Sequence, residues 1–516
     1  MEFLQKASAQ NGWSHDPDAR FNSLFPSLAN DANVAYGSPD PFFLDLRDTT
    51  AVKCQNGTKF QFANNAFVRA NFTNIKSGAD LYKSFGPSNG TGEQAISWHN
   101  YRLAERNYTS TFSGYPQAAR ADKAGYIAGF LPEGPGVSDV AILSVKSFLG
   151  NQGPAALTQD PVVQLQDFYN VTIDFLRTAT ATNRSKLILD VQGNSGGLVS
   201  NLATLYFALF PSQTFPLLFQ GRAHPQLAWL GAQLWNNSDP NAFSWPFQGF
   251  VKPDFTPWAS FAEFYGPYND TSHPPRGAYT HLAQYKVQTN TSGQFSIPVL
   301  PPWSTPPFRA QDITILTDGQ CGSACALLVE MLTHAHGVRT VTLGGRPLAA
   351  PMQAVGQAKG GPVMSFASFP DFDRAKVPEG LRMPPVSLSN KISHTSYKPP
   401  LRLAGIDLLG WGAGVSFNVA NMLPFGEEKG GVPLQMRYEA ANCKLFFTWE
   451  MAREIEAVWR AVAGVAWRGS KCVRGSTTNG DGTIGGVPGF VEGVEDRYEL
   501  GRGPGEVGPV HKRGAV

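Results

Sequence analysis

Cys321-Gly322-Ser323-Ala324-Cys325 holds residue types at a spacing suited to nucleophilic chemistry. The stretch follows an alternating β-branched run, Ile313-Thr314-Ile315-Leu316, which predicts a short buried strand, and a turn at Thr317-Asp318-Gly319. It precedes Leu327, Leu328, Met331 and Leu332, whose spacing predicts a helix ended by Gly337, with a second strand over 338–343. A serine at such a strand-to-helix turn has its hydroxyl lifted out of the sheet, beside unpaired N–H groups that favour negative charge. The same placement also suits a plain helix N-cap.

A second stretch supplies what a nucleophile needs opposite it. Residues 187–197, Leu-Ile-Leu-Asp-Val-Gln-Gly-Asn-Ser-Gly-Gly, predict an apolar strand that ends in a glycine-rich turn before a helix over 198–210. Such a turn exposes N–H groups able to stabilise an oxyanion.

In this order the two stretches resemble the tail-specific (C-terminal-processing) serine peptidases. That family shows a strand, Asp-Leu-Arg-x-Asn-x-Gly-Gly, and later a strand ending in Ser-x-Ser-x-Ser before a helix. The resemblance implies that Ser323 is the nucleophile, with Cys321 and Cys325 at the outer serines. It also implies an oxyanion hole from the N–H groups of Gly197 and Ala324. The bacterial enzymes use a lysine one helix and strand beyond the serine. Leu348 stands there in this chain, and Lys359 is the nearest lysine after it. The Ser/His/Glu branch, which includes chlamydial protease-like activity factor, takes its histidine from an N-terminal Asp-Gly-His stretch absent here. His15 and His99 read as surface residues, and His334 and His336 fall about three turns beyond Ser323. Glu439, in a stretch worded like the fungal branch, is the candidate acid. A solvent-facing strand carboxylate is the other reading of it. A papain-like use of Cys321 or Cys325 is disfavoured, because the second cysteine comes one residue late and no tryptophan follows it.

Positioning these residues calls for an α/β layer. Residues 140–148 predict a strand, 162–178 a helix of imperfect period, and 187 onward the next strand, a parallel crossover unit. The resemblance implies a crotonase/ClpP-like core at 116–468 beside a mostly β N-terminal domain at 1–115. An aromatic and Pro-rich insertion at 211–310 is expected either to add aromatic surface to a substrate cleft or to be a loop-rich elaboration. Residues 433–448 should begin as a strand, and 451–467 should form a helix. From 469 to 516 the Gly-rich polar composition predicts a disordered tail. A Cys443–Cys472 bridge would tie the last strand to the end of the last helix, although sequence does not fix connectivity.

The remaining composition narrows the partners. With 516 residues, 16% charged and a formal net charge of +2, nothing invites nucleic acid or an anionic membrane. No apolar run reaches spanning length. Asn56, Asn71, Asn89, Asn107, Asn170, Asn183, Asn236, Asn269 and Asn290 all stand in Asn-x-Ser/Thr and point to passage through the secretory pathway, although the N-terminus lacks a signal peptide's apolar core. The expectation is a longer natural product carrying a signal peptide and the missing histidine upstream of Met1. The resemblance implies a serine endopeptidase acting on peptide or protein substrates without metal or cofactor. Its fungal members include enzymes encoded with ustiloxin- and phomopsin-type peptide mycotoxins. Two other classes compete: a peptide-binding pseudoprotease without its base, and a crotonase-type acyl-CoA enzyme.

Overall fold

Period-two apolar patterning, with both sets of residues buried, builds the centre of this molecule. The computed structural model describes residues 14–25, 27–29, 49–53, 56–63, 75–80, 114–122, 125–149, 161–211, 215, 217–224, 228, 250–269, 277–285, 288–289, 296–297, 300–361, 363–365, 416–418, 420–423 and 432–486. After a short helix α1 (Pro17–Asn22) come strands β1 (Arg120–Ala121), β2 (Ile127–Phe130) and β3 (Val140–Val145). Helix α2 (Pro161–Ala181) leads to β4 (Lys186–Asp190) and helix α3 (Val199–Leu209). An irregular region holds β5 (Leu218–Gln220), β6 (Phe250–Val251) and β7 (Ala283–Tyr285). Then follow β8 (Ile313–Thr317), α4 (Ala324–Glu330, continued by a π-helical turn Met331–Ala335), β9 (Arg339–Leu343), β10 (Asn421–Leu423), β11 (Cys443–Leu445) and α5 (Ile455–Trp467).

Seven strands form the main sheet in the order β11-β9-β8-β4-β3-β2-β1. The five from β3 to β11 are parallel, and β2 and β1 add antiparallel at one edge. Leu187, Leu189, Ile313 and Ile315 point into a core shared with α2, α3 and α4. Ile188, Leu316, Val341 and Leu343 point the other way, against α5. A parallel sheet covered on both faces reads as nearly continuous apolar strands, which is why 187–189 and 313–316 were so legible. Packing between the layers is close. A Cβ on Gly129 of β2 would lie 2.0 Å from the ring of Phe175 on α2, so this position has room only for glycine.

Within the 1–115 region, α1 packs on the core. Asn22 donates to the carbonyls of Asp318 and Leu343, and Asp18 pairs with Arg346, which docks α1 on the ends of β8 and β9. Two stretches differ from the sequence-based expectation. Residues 433–436 open as a 3-10 turn rather than a strand, and pairing starts only at Cys443. The disordered tail expected from 469 is corrected over 469–486. There Cys472 is bridged to Cys443, its N–H donates to Gly482, and that of Val473 donates to Lys444. A covalent bridge and turn hydrogen bonds replace the apolar burial that composition was read for. Residues 487–516 lie outside the described residues.

The region at 211–310 packs much of its aromatic content inward. Phe219, Phe250, Phe261, Phe264 and Tyr285 join the main core, and Trp303 Nε1 donates to Ala208 on α3. Arg222 and Tyr279, with Asn418, Val432, Pro433 and Met436, line a cavity of about 410 Å3. Trp229, Trp235 and Trp245 lie outside the described residues.

Candidate active site

Asp190 and Thr317 end two adjacent parallel strands, so the loops that follow them must leave the sheet side by side, where α/β sheets open to ligands. The turns are stitched together. Gly193 N donates to Asp318 Oδ1 at 3.1 Å, and Gly322 N donates to the Asn194 carbonyl at 3.3 Å. Asn194 is the buried brace of the first turn, since its Nδ2 donates to Val145 and its Oδ1 accepts from Gly196 N. Asp190 itself is structural. Its carboxylate accepts from Trp459 and Gln192, and burial raises its pKa.

Ser323 sits at the N-cap of α4 with φ 51° and ψ −123°, half-buried, and its side chain caps no helix N–H. The N-cap alternative therefore fails on geometry. A non-glycine residue held there costs about 1–3 kcal/mol and persists only where its surroundings over-determine it. A serine on a sharp, strained strand-to-helix turn, its Oγ presented above the sheet, is the arrangement of a nucleophile elbow. Its own N–H donates to the Ala358 carbonyl at 2.9 Å. Cys321 and Cys325 on either side of it form a disulfide, both fully buried. Closing so short a loop contributes on the order of 2 kcal/mol by the chain-entropy estimate.

Gly196 closes the other side. A Cβ there would fall 2.7 Å from Ser323 Cβ and 2.9 Å from Ala324 N, so the glycine turn lies flush against the elbow. Phe148 N donates to Gly196, and Phe148 O accepts from Leu198, which fixes Gly197 between them. Among the described residues, neither the Gly197 N–H nor the Ala324 N–H makes a hydrogen bond. Ser323, Ala324 and the Gly196–Gly197 turn are thus brought together.

The base and acid candidates lie elsewhere. Lys359 follows Ala358 in the segment against the elbow, but its buried ammonium is directed to Gln353 Oε1 and the Arg437 carbonyl. Burial lowers its pKa, opposed by Glu439 and Glu330. His15 is exposed, with burial of its ring and the charges of Lys359 and Arg20 lowering its pKa. His99 lies outside the described residues. Glu439 belongs to a separate cluster at the far end of the nucleophile helix. His334 Nε2 lies 3.1 Å from Glu330 and 3.2 Å from Glu439, and Arg437 approaches Glu439 at 3.5 Å. Hydrogen bonds to Glu330 and Glu439 raise His334 to about 10 against its burial. Burial and the neighbouring Glu439 charge push Glu330 up to about 7. Burial opposes ionisation of Glu439, but His334 and Lys359 outweigh it and hold the group at about 2. Eleven residues along the helix place His334 roughly 16 Å from Ser323. The three side chains could together offer ligands to a metal ion, but the adjacent Arg437 and Lys359 cations already balance their charge. This cluster was not foreseen from sequence.

Of the sequons, Asn56, Asn170 and Asn183 are exposed. Asn269 lies on a short strand, and Asn71, Asn89, Asn107, Asn236 and Asn290 fall outside the described residues. No helix among the described residues is long and apolar enough to cross a membrane.

The chain is similar to several known proteins. A profile of the CPAF-like PDZ domain family matches residues 1–73. Peptidase S41 family protein ustP of Aspergillus flavus is 27% identical over 493 residues, covering 89% of this chain and 98% of that protein. Peptidase S41 family protein phomP1' of Diaporthe leptostromiformis is 26% identical over 533 residues, covering 91% of this chain and 76% of its own length. Among solved structures, mature CPAF aligns with TM-score 0.36 and 12% identity, over 81% of this chain and 66% of CPAF.

Proposed function

We propose that this chain, a homologue of the peptidase S41 family proteins and a serine-type peptidase, cleaves peptide bonds through an acyl-enzyme on Ser323. One observation carries the reading: the left-handed Ser323 elbow set flush against the Gly196–Gly197 turn, with two N–H groups that make no hydrogen bond among the described residues. In this reading Ser323 Oγ attacks the scissile carbonyl. The carbonyl oxygen gains charge and moves between the N–H groups of Gly197 and Ala324, each worth about 3–4 kcal/mol to a transition state. The amine leaves with a proton, and water releases the acyl group. A group that removes the serine proton completes the reaction, and Glu439, engaged with His334 and Arg437, is not placed to orient it. The surrounding parallel sheet is read as a crotonase/ClpP-like core.

Kinship with the fungal proteins supports a precursor peptide as substrate, within the biosynthesis of a ribosomal peptide product. Two disulfides and three exposed sequons support a protein made in an oxidising secretory compartment. The direct test is labelling with a peptidyl diphenyl phosphonate, read by intact mass and peptide mapping. The native protein is expected to gain one adduct at Ser323. Ser323→Ala should fold normally, gain none, and lose several orders of magnitude of peptide cleavage. Undiminished cleavage by Ser323→Ala would transfer the chemistry to another residue. A native protein that binds peptide but is never labelled would favour the pseudoprotease.

A further inference from the structure

We infer that the Cys321–Cys325 disulfide is the positioning device of the reaction centre, holding both Ser323 and the Ala324 N–H in the geometry that chemistry requires. The inference rests on the reading of Ser323 as nucleophile. The bridge joins cysteines four positions apart with Cα atoms 5.4 Å apart, and the nucleophile is the central residue of the closed ring. Both residues the chemistry needs from this loop, Ser323 with its hydroxyl and Ala324 with its N–H, lie inside the closed ring.

The alternatives that could hold the elbow are thin. Ser323 has a positive φ that a serine leaves readily unless constrained, and it makes no side-chain capping bond. Outside the ring, Leu327 N in α4 donates to the Ser323 carbonyl at 3.0 Å, the Ser323 N–H donates to Ala358, Gly322 N to Asn194 at 3.3 Å, and Gln357 N to the Cys321 carbonyl at 3.2 Å. The last three are backbone bonds to neighbouring loops, and two of them belong to the single segment 357–358. Cys325 stands in the first turn of α4, so the bridge fastens the helix start to the end of the preceding turn. Without it, the turn and the helix can shift relative to each other.

A purely structural bridge and a positioning bridge make different predictions. The first would lower stability and leave the surviving folded protein fully reactive. The second would slow chemistry and leave binding alone. Phosphonate labelling separates the two, because KI reports binding and the limiting rate reports attack. In that step a bond forms from Ser323 Oγ to phosphorus, phenoxide leaves with the bonding pair, and the serine proton passes to the base. For Cys321→Ala/Cys325→Ala the limiting rate is expected to fall about 100-fold, the scale of a misplaced reacting group, with KI within about threefold of native. Circular dichroism confirms the fold. Cys443→Ala/Cys472→Ala is the control, expected to lose stability but keep its limiting rate.

If the double alanine variant does not fold, the bridge is opened chemically in the Cys443→Ala/Cys472→Ala background. A water-soluble phosphine with one water yields two thiols and the phosphine oxide, and reoxidation restores the bridge. Reactivity that falls on opening and returns on reoxidation supports the inference. A limiting rate unchanged with the bridge verified open by mass overturns it. A native protein unlabelled at Ser323 overturns the nucleophile reading first, and the inference with it.

Discussion

At residue 196 a side chain has nowhere to go. Its Cβ would meet the Gly322 carbonyl and Ser323 Cβ at 2.7 Å and Ala324 N at 2.9 Å, and the φ of 110° is itself unfavourable to other residues. These neighbours are the elbow backbone, so relief must come from moving the reaction centre. Gly196→Ala is therefore expected to fold and to lose about 100-fold in the limiting rate of phosphonate labelling. Native reactivity in that variant would show that the two turns do not act together. The Ser323 elbow was legible in the sequence because strand, turn and helix are local, and the glycine turn because it ends a readable strand. Glu439 was visible only as a family-like carboxylate. Its contact with His334 joins positions more than a hundred residues apart, which no local pattern encodes. Both elbow cysteines were visible, but their pairing depends on a helix start that brings their Cα atoms to 5.4 Å.

Among the elements, α4 runs from the elbow to a distant ion cluster. Ser323 is its N-cap, and its π-helical extension sets His334 between Glu330 and Glu439. Gly337, at φ 69°, then ends it, with its N–H donating to Thr333. The ring of His336 lies stacked on Phe210, 3.7 Å between centroids, which ties the ends of α4 and α3 together. His334 is a cation set between the Glu439 carboxylate and Glu330, and its pKa is raised from 6.5 to about 10. A group raised on folding stabilises fully below its unfolded value and loses that contribution as pH climbs through the folded one. His334→Gln should accordingly lower Tm most near pH 6, by about 2–4 °C per kcal/mol lost, and the gap to native should close toward about pH 10. A gap that is constant across that range would remove the ion cluster as its cause. The strands and helices around α4 were read nearly to the residue, since period two and period 3.6 survive burial on both faces. The sequence misled at 433–436 and 469–486, where turn hydrogen bonds and a disulfide hold chain that has little apolar content to report.

Across the whole molecule, segments more than three hundred residues apart converge behind the site. Asn22, near the start of the chain, is buried between the ends of β8 and β9. Its Nδ2 donates to the Asp318 carbonyl at 2.8 Å and the Leu343 carbonyl at 2.9 Å, and its Oδ1 accepts from Gly345 N at 2.6 Å. Gly344 and Gly345, both with positive φ, let the backbone curl around this amide. One side chain thus satisfies three backbone groups that otherwise face a dry interior, one on β9 and one just past the end of β8. Asp318 matters most, because the chain from it to Ser323 is the turn that forms the elbow, and Gln320 in that turn also donates to Ala19 on α1. Asn22→Ala would leave these groups unpaired, costing about 3 kcal/mol, and is expected to lower the denaturant midpoint without changing the slope. Asn22→Asp keeps an acceptor for Gly345 N but loses both donors, and places a carboxylate against two carbonyls. It should destabilise at least as much at neutral pH and recover part of the loss in acid, once protonated. In both variants the folded fraction should label more slowly at Ser323, since the elbow has lost its rear support. A native midpoint and native labelling rate in Asn22→Ala would show that α1 does not brace the site, and that the core holds its elbow alone.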